Sequence, residues 1–313
     1  MAAFARRPAS STHDMRTELH RLVDDALAWC AESLPFFSIT RTNDMRVSAK
    51  AFAEFLLALN VLRDSGYGRT PAYDALLALA IDETRAFDWE AALAQRSDLL
   101  LLAAYLNTFC SRNGLPTVIP TDRITAALDA VLPLDAVPYR ELDMLCGLAQ
   151  GGAPIADERF TDALLRSGCL GDEVMGFDDM DLYAATHAFF YTTVFGDRSG
   201  RIAPALRDEM LATIDLGLDV TLREGHADLV GEYLMCYASL DVPVSRRERA
   251  AWSFLTSAQQ PNGAVPIYAT ADVRSDDFRS APDRAQWLAC YHTTLVAAMA
   301  GAMRLARHER HEN

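Results

Sequence analysis

Lysine is almost missing from this chain of 313 residues: Lys50 stands alone, and every other cationic side chain of its 29 Lys+Arg is an arginine. A GC-rich coding sequence accounts for such a bias, and a Schiff-base mechanism would have to use Lys50. The six cysteines, Cys30, Cys110, Cys146, Cys169, Cys236 and Cys290, form no CxxC pair and sit mostly in apolar helical surroundings. Buried free thiols are expected, and a cysteine-rich zinc site is not. Positive charge is short as well, with 43 Asp+Glu leaving a formal charge of −14. Neither nucleic acid nor an anionic membrane is expected as a partner. No uncharged apolar run approaches the roughly 18 residues of a membrane span. Arg6 and Arg7 are followed by no apolar stretch, so no secretory leader is expected and the cytoplasm is the expected location. Strand signals are confined to 117–119 and 265–268.

What the chain does have is helical periodicity. Six stretches are apolar nearly all round and end on a turn residue: 47–66, 97–114, 139–151, 178–196, 227–241 and 285–301. Between them lie six amphipathic stretches with a wet face, at 14–34, 71–87, 121–132, 157–167, 203–224 and 245–259. The stop residues Gly66, Gly114, Gly151, Gly196, Asp241 and Gly301 recur 37 to 60 residues apart and suit helix C-caps. Thr70-Pro71, Ala203-Pro204 and Ser245 mark helix starts. Alternating dry and wet helices, six of each, predict an all-α (α/α)6 toroid with the dry helices as its inner wall. One such domain is expected over 13–306, with tails at 1–12 and 307–313. An open solenoid would use the same hairpins without closing.

Gln259 and Gly263, in Thr256-Ser257-Ala258-Gln259-Gln260-Pro261-Asn262-Gly263-Ala264-Val265-Pro266, match the Gln-x-x-x-Gly-x-Trp repeat motif, with Val265 at the tryptophan position. Asp178-Asp179-Met180-Asp181 is similar to an Asp-x-Asp-Asp acid motif, with Met180 where an aspartate is required. These segments resemble the squalene–hopene and related terpenoid cyclases. The resemblance implies an α/α toroid with a substrate cavity in the middle, while Met180 argues against carbocation initiation by that acid motif. Thr186-His187-Ala188-Phe189-Phe190-Tyr191 and Tyr291-His292-Thr293-Thr294 also resemble uncharacterised bacterial toroid proteins.

Counting back nine residues from each stop position gives Leu57, Tyr105, Leu142, His187, Glu232 and His292 at one height of the inner wall. The last three are polar residues in apolar sequence on consecutive inner helices. A carboxylate such as Glu232 in that setting must find a partner or shift its pKa upward. Two histidines and a carboxylate suit a divalent metal, Zn or Fe, held by His187, Glu232 and His292. Without metal the same trio offers a histidine acid or base oriented by Glu232, or a hydrogen-bond network that fixes helix register. Asp228, one turn before Glu232, is a candidate fourth ligand or acid partner.

Asp172, Glu173, Asp178, Asp179 and Asp181 crowd the start of one inner helix, and His226 precedes the next. Capping accounts for such acids better than catalysis does. Tyr105, Tyr183, Tyr191, Trp287 and Tyr291 are the candidate substrate-contacting aromatics. The long connection 262–282 would supply a lid, with Arg274 and Arg279 as its anion-seeking groups. The function expected is a toroid enzyme of specialised metabolism, of lyase, cyclase or isomerase type, acting on a small, partly apolar molecule. A carbohydrate-active enzyme with paired carboxylates is the first alternative, although only Trp287 of the four tryptophans lies on an inner helix. A helical scaffold or ligand-binding protein is the second, and a buried Glu232 counts against it.

Overall fold

The computed structural model describes residues 12–41, 45–95, 99–131, 137–170, 178–269 and 282–312. Among these the regular structure is helical, and the only β pairing is one antiparallel bridge between His226 and Tyr268. The second short β-type segment, 117–119, forms no strand.

The six dry stretches form α2 (Met45–Asp64), α5 (Leu100–Arg112), α7 (Arg140–Gln150), α9 (Asp179–Thr192), α11 (Ala227–Leu240) and α13 (Arg284–Glu312). The wet stretches form α1 (Thr12–Glu32), α3 (Pro71–Ala86), α6 (Thr121–Val131), α8 (Asp157–Arg166), α10 (Pro204–Glu224) and α12 (Arg246–Ala258). One further short helix, α4 (Trp89–Gln95), has no counterpart in the periodicity. Starts follow the capping chemistry: Thr70 accepts from the Tyr73 N–H, Asp178 from Asp181 and Ser245 from Glu248. The stops Gly66, Gly114, Gly196 and Asp241 all take positive φ, while at Gly151 that role passes to the next residue, Gly152.

Each dry helix packs against the next in chain order, and α13 packs against α2. All fourteen residues of α11 are buried, as an apolar helix covered on every side requires. The six cysteines are buried free thiols. No described helix is long and apolar enough to cross a membrane.

Two sequence expectations fail at the C-terminus. Gly301 does not stop its helix, because α13 runs on to Glu312. An added Cβ at Gly301 would lie 2.7 Å from Val23 Cγ2, so this glycine permits close packing of α13 on α1. The tail expected from 307 is therefore helix. Its Arg307 is buried and donates to the carbonyls of Ala238 and Gly196, capping the ends of α11 and the turn after α9.

Candidate functional site

Residues of all six dry helices line a cavity of about 670 Å³. Its lining begins with Arg46 on α2, Leu99 before α5, Tyr139 before α7, Met180 on α9 and Leu288 on α13. Met180 and Leu288 are exposed, so the cavity opens at the N-terminal ends of these helices. Tyr105, Tyr183, Tyr191 and Tyr291, the candidate substrate-contacting aromatics, line it. Trp287 does not. It is 1% exposed, stacked on Tyr291 with ring centroids 4.6 Å apart, and edge-on to Phe37. Trp287 faces the packing between α13 and the segment after α1, because its position in α13 is almost half a turn from His292.

Deeper in the wall stands a cluster of ionisable groups. Glu232 is 1% exposed and accepts from the Thr186 hydroxyl through Oε2. Its Oε1 lies 3.4 Å from His292 Nε2. Asp228, also 1% exposed, accepts a 2.5 Å hydrogen bond from Tyr183, and its Oδ2 lies 3.6 Å from the same His292 nitrogen. On the other side of the ring, His292 Nδ1 is 3.4 Å from Glu54 Oε2, and Glu54 pairs with Lys50 at 2.5 Å. Asp228 and Glu232 stand one turn apart on α11, and the packing of α11 and α2 on α13 brings both sets of carboxylates to one imidazole.

The electrostatics follow from that crowding. Burial alone would lower the His292 pKa, but Asp228, Glu54 and Glu232 together hold it well above the ordinary histidine value. Burial pushes Glu232 up, and the two imidazoles of His187 and His292 more than reverse this, leaving it below the ordinary range. Glu54 is drawn down to about 2 against its burial by His292 and Lys50. Lys50 itself would be lowered by desolvation, yet Glu54 and the other acids raise it. A lysine held in its ammonium form is the opposite of what imine formation needs.

His187 Nδ1 lies 2.7 Å from the Tyr183 carbonyl oxygen and 3.3 Å from Glu232 Oε2. A carbonyl only accepts, so Nδ1, the ring nitrogen that faces Glu232, carries hydrogen, and ligation by His187 would have to use Nε2. Among the described residues, the three whose ligating atoms all fall within 4.8 Å of one another are Asp228, Glu232 and His292. The nine-residue count reached His292 from a glycine that does not end its helix, so the agreement in height is not the reason these residues meet. Of the other levelled positions, Leu57 and Tyr105 line the cavity, and Leu142 is in the core.

A second acid faces the cavity that the periodicity did not single out. Asp143 on α7 is 2% exposed, accepts a 2.5 Å hydrogen bond from Tyr105, and lies 3.5 Å from Arg140 Nη1. Burial raises its pKa to about 6, with Tyr105 and Arg140 pulling the other way. In the sequence Arg140-Glu141-Leu142-Asp143 it resembles one more acid in a first helical turn, which the dipole favours. Glu54 was hidden in the same way, as half of an i,i+4 pair with Lys50.

At the acidic mouth Asp178 caps α9, Asp179 is exposed and Asp181 is half-buried. Asp179 accepts from the Tyr268 hydroxyl at 3.2 Å and stands 3.9 Å from His226, which caps α11 by accepting from the Leu229 N–H. Gln259 and Gly263 of the cyclase-like segment are structural here: the Gln259 amide donates to the carbonyls of Leu22 and Gly263, tying the end of α12 to α1. Asp172, Glu173, Arg274 and Arg279 lie outside the described residues.

Neither a curated protein nor a solved structure matches the chain. A family described as a domain of unknown function, DUF6895, matches residues 3–302, and the chain belongs to that family.

Proposed function

We propose that this chain is an enzyme built as an (α/α)6 toroid, and that it works by proton transfer on a small, partly apolar molecule in its central cavity. The reaction class is that of a lyase, cyclase or isomerase. The circuit of contacts through the six dry helices, with α13 against α2, supports the toroid. The observation that carries the enzymatic reading is Asp143. A carboxyl that is fully buried yet borders a cavity, with its pKa raised to about 6, is poised to give or take a proton near neutral pH. A scaffold gains nothing from the several kcal/mol that such burial costs.

Tyr105 holds the Asp143 carboxyl in place, and Tyr139, Tyr183, Tyr191 and Tyr291 offer ring faces and hydroxyls to the rest of the substrate. His187 lies among Tyr139, Tyr183 and Tyr191, between the Asp143 side and Glu232. Arg46, Lys50 and Arg140 share the lining with Glu54, Asp143 and Asp228, so polar groups of either sign on a substrate would find a partner. Asp178, Asp179 and Asp181 do not line the cavity, which counts against a paired-carboxylate enzyme built on them.

The test is to incubate the protein with fractionated small-molecule extracts and follow masses by liquid chromatography. Wild type should convert one component to an isomer or to an elimination product, and Asp143→Asn should lose that conversion while staying folded. Equal conversion by both proteins would remove Asp143 from the chemistry. Retention of a ligand with no conversion in any fraction would make the chain a binding protein.

A further inference from the structure

We propose that Asp228, Glu232 and His292 form a binding site for a divalent first-row cation, Zn²⁺ by its spacing, with a coordination position open to the cavity. The site lies in the wall of the cavity assigned above to the reaction, but it stands or falls without reference to turnover.

Positive charge is required between His292 Nε2 and two carboxylates, and the distances say what kind. A charge-assisted N–H···O bond closes to about 2.7–2.9 Å, whereas the Nε2 separations are 3.4 Å to Glu232 and 3.6 Å to Asp228. One proton cannot bridge both oxygens at that range. A cation bound at about 2.1 Å by tetrahedral ligands sets those ligands about 3.4 Å apart. Asp228 Oδ1 is buried without any hydrogen-bond partner among the described residues, on a side chain that lines the cavity. Asp228 Oδ2 is the atom 3.6 Å from His292 Nε2, so this buried carboxylate still has acceptor capacity that a bound cation would satisfy.

The surroundings fit the same reading. Metal-bound histidines pass their other ring N–H to a carboxylate. Glu54 Oε2 stands 3.4 Å from His292 Nδ1, both atoms without a hydrogen-bond partner among the described residues, so that a small approach would pair them. Tyr183 donates to Asp228 and Thr186 donates to Glu232, so each proposed ligand has its own orienting partner. Two oxygens and one nitrogen suit Zn²⁺, Mn²⁺ or Fe²⁺ more than a soft ion. Three protein ligands leave room for one from the cavity, the arrangement of reactive rather than purely structural zinc.

Protein stripped with a chelator and titrated with Zn²⁺ by calorimetry should take up one ion per chain. Asp228→Asn and Glu232→Gln should abolish that uptake. Glu54→Gln, which removes only the carboxylate behind the imidazole, should weaken it by roughly 10–100-fold, and Asp179→Asn at the mouth should leave it unchanged. Co²⁺ added to the stripped wild-type protein should give the intense visible bands of a tetrahedral site, a readout that needs no variant to fold. Failure of the wild type to bind Zn²⁺ at one per chain overturns the proposal, as does full binding by Glu232→Gln or an octahedral Co²⁺ spectrum. Turnover that persists in stripped protein would leave the enzymatic reading intact while separating it from the cation.

Discussion

Asp143 is held by the fold in a setting that costs stability and that the proposed proton transfer would use. Its folded pKa of about 6 exceeds the ordinary aspartate value because desolvation outweighs Tyr105 and Arg140. A raised carboxyl pKa gives stability that is complete below the unfolded value and is lost as pH climbs through the folded one. Between about pH 4 and pH 6 the wild type should thus lose on the order of 3 kcal/mol that a non-ionising side chain would keep. Asp143→Asn retains an oxygen to accept from Tyr105. It should come closest to wild type near pH 3.5 and exceed it in melting temperature at pH 7.5, while losing activity. Melting curves at the two pH values decide this, and an offset that does not change with pH would mean that Asp143 titrates normally. Lys50 and Glu54 make the complementary point, since an i,i+4 pair that reads as surface chemistry ends against His292.

At the scale of elements, α13 is the member on which the others depend. It packs on α1, α2 and α11, and its last turns carry two buried arginines. Arg304 donates to Glu248 at 2.7 Å and to the Val242 carbonyl, and Glu248 also accepts from the Trp252 indole at 3.1 Å. Glu248 has no solvent exposure, so removing its partner strands a buried charge. Arg304→Ala should cost about 3–5 kcal/mol in denaturant titration. The double variant Arg304→Met with Glu248→Leu should recover most of that loss, because two apolar side chains carry no desolvation penalty. A small effect of Arg304→Ala alone would mean that water reaches the pair.

Across the whole molecule, cohesion is uneven. One apolar cluster joins residues from α1 through α13, while a separate small one links Ala103 and Ala104 of α5, Ile124 of α6, and Met144 and Leu148 of α7. α6 therefore leans on a satellite core, whereas every residue of α11 is buried. Regions with few buried apolar contacts open at lower free energy than the global transition. Native-state hydrogen exchange should find α6 exchanging through local opening and α11 only through global unfolding. Equal protection of the two helices would show the satellite core to be as cooperative as the main one.

The sequence by itself determined the all-helical class, the twelve long helices and their alternation, because burial on one face or on all faces is written in local hydropathy. It also marked His187, Glu232 and His292, since a polar side chain in an apolar run is conspicuous without any partner being known. Tertiary structure alone decided which of them meet. The last dry helix packs on the first, so Glu54 reaches His292 across most of the chain's length, a proximity with no local signature. The Tyr183 carbonyl takes the Nδ1 hydrogen of His187 on the side that faces Glu232, and Tyr105 from α5 helps enclose Asp143. Helix length at the C-terminus was settled the same way. Gly301 reads as a stop in one dimension, but the carbonyls awaiting Arg304 and Arg307 and the tight approach of α1 reward a helix that continues through it. Local pattern encodes burial, and only the packed chain sets the distances on which proton transfer and ligation depend.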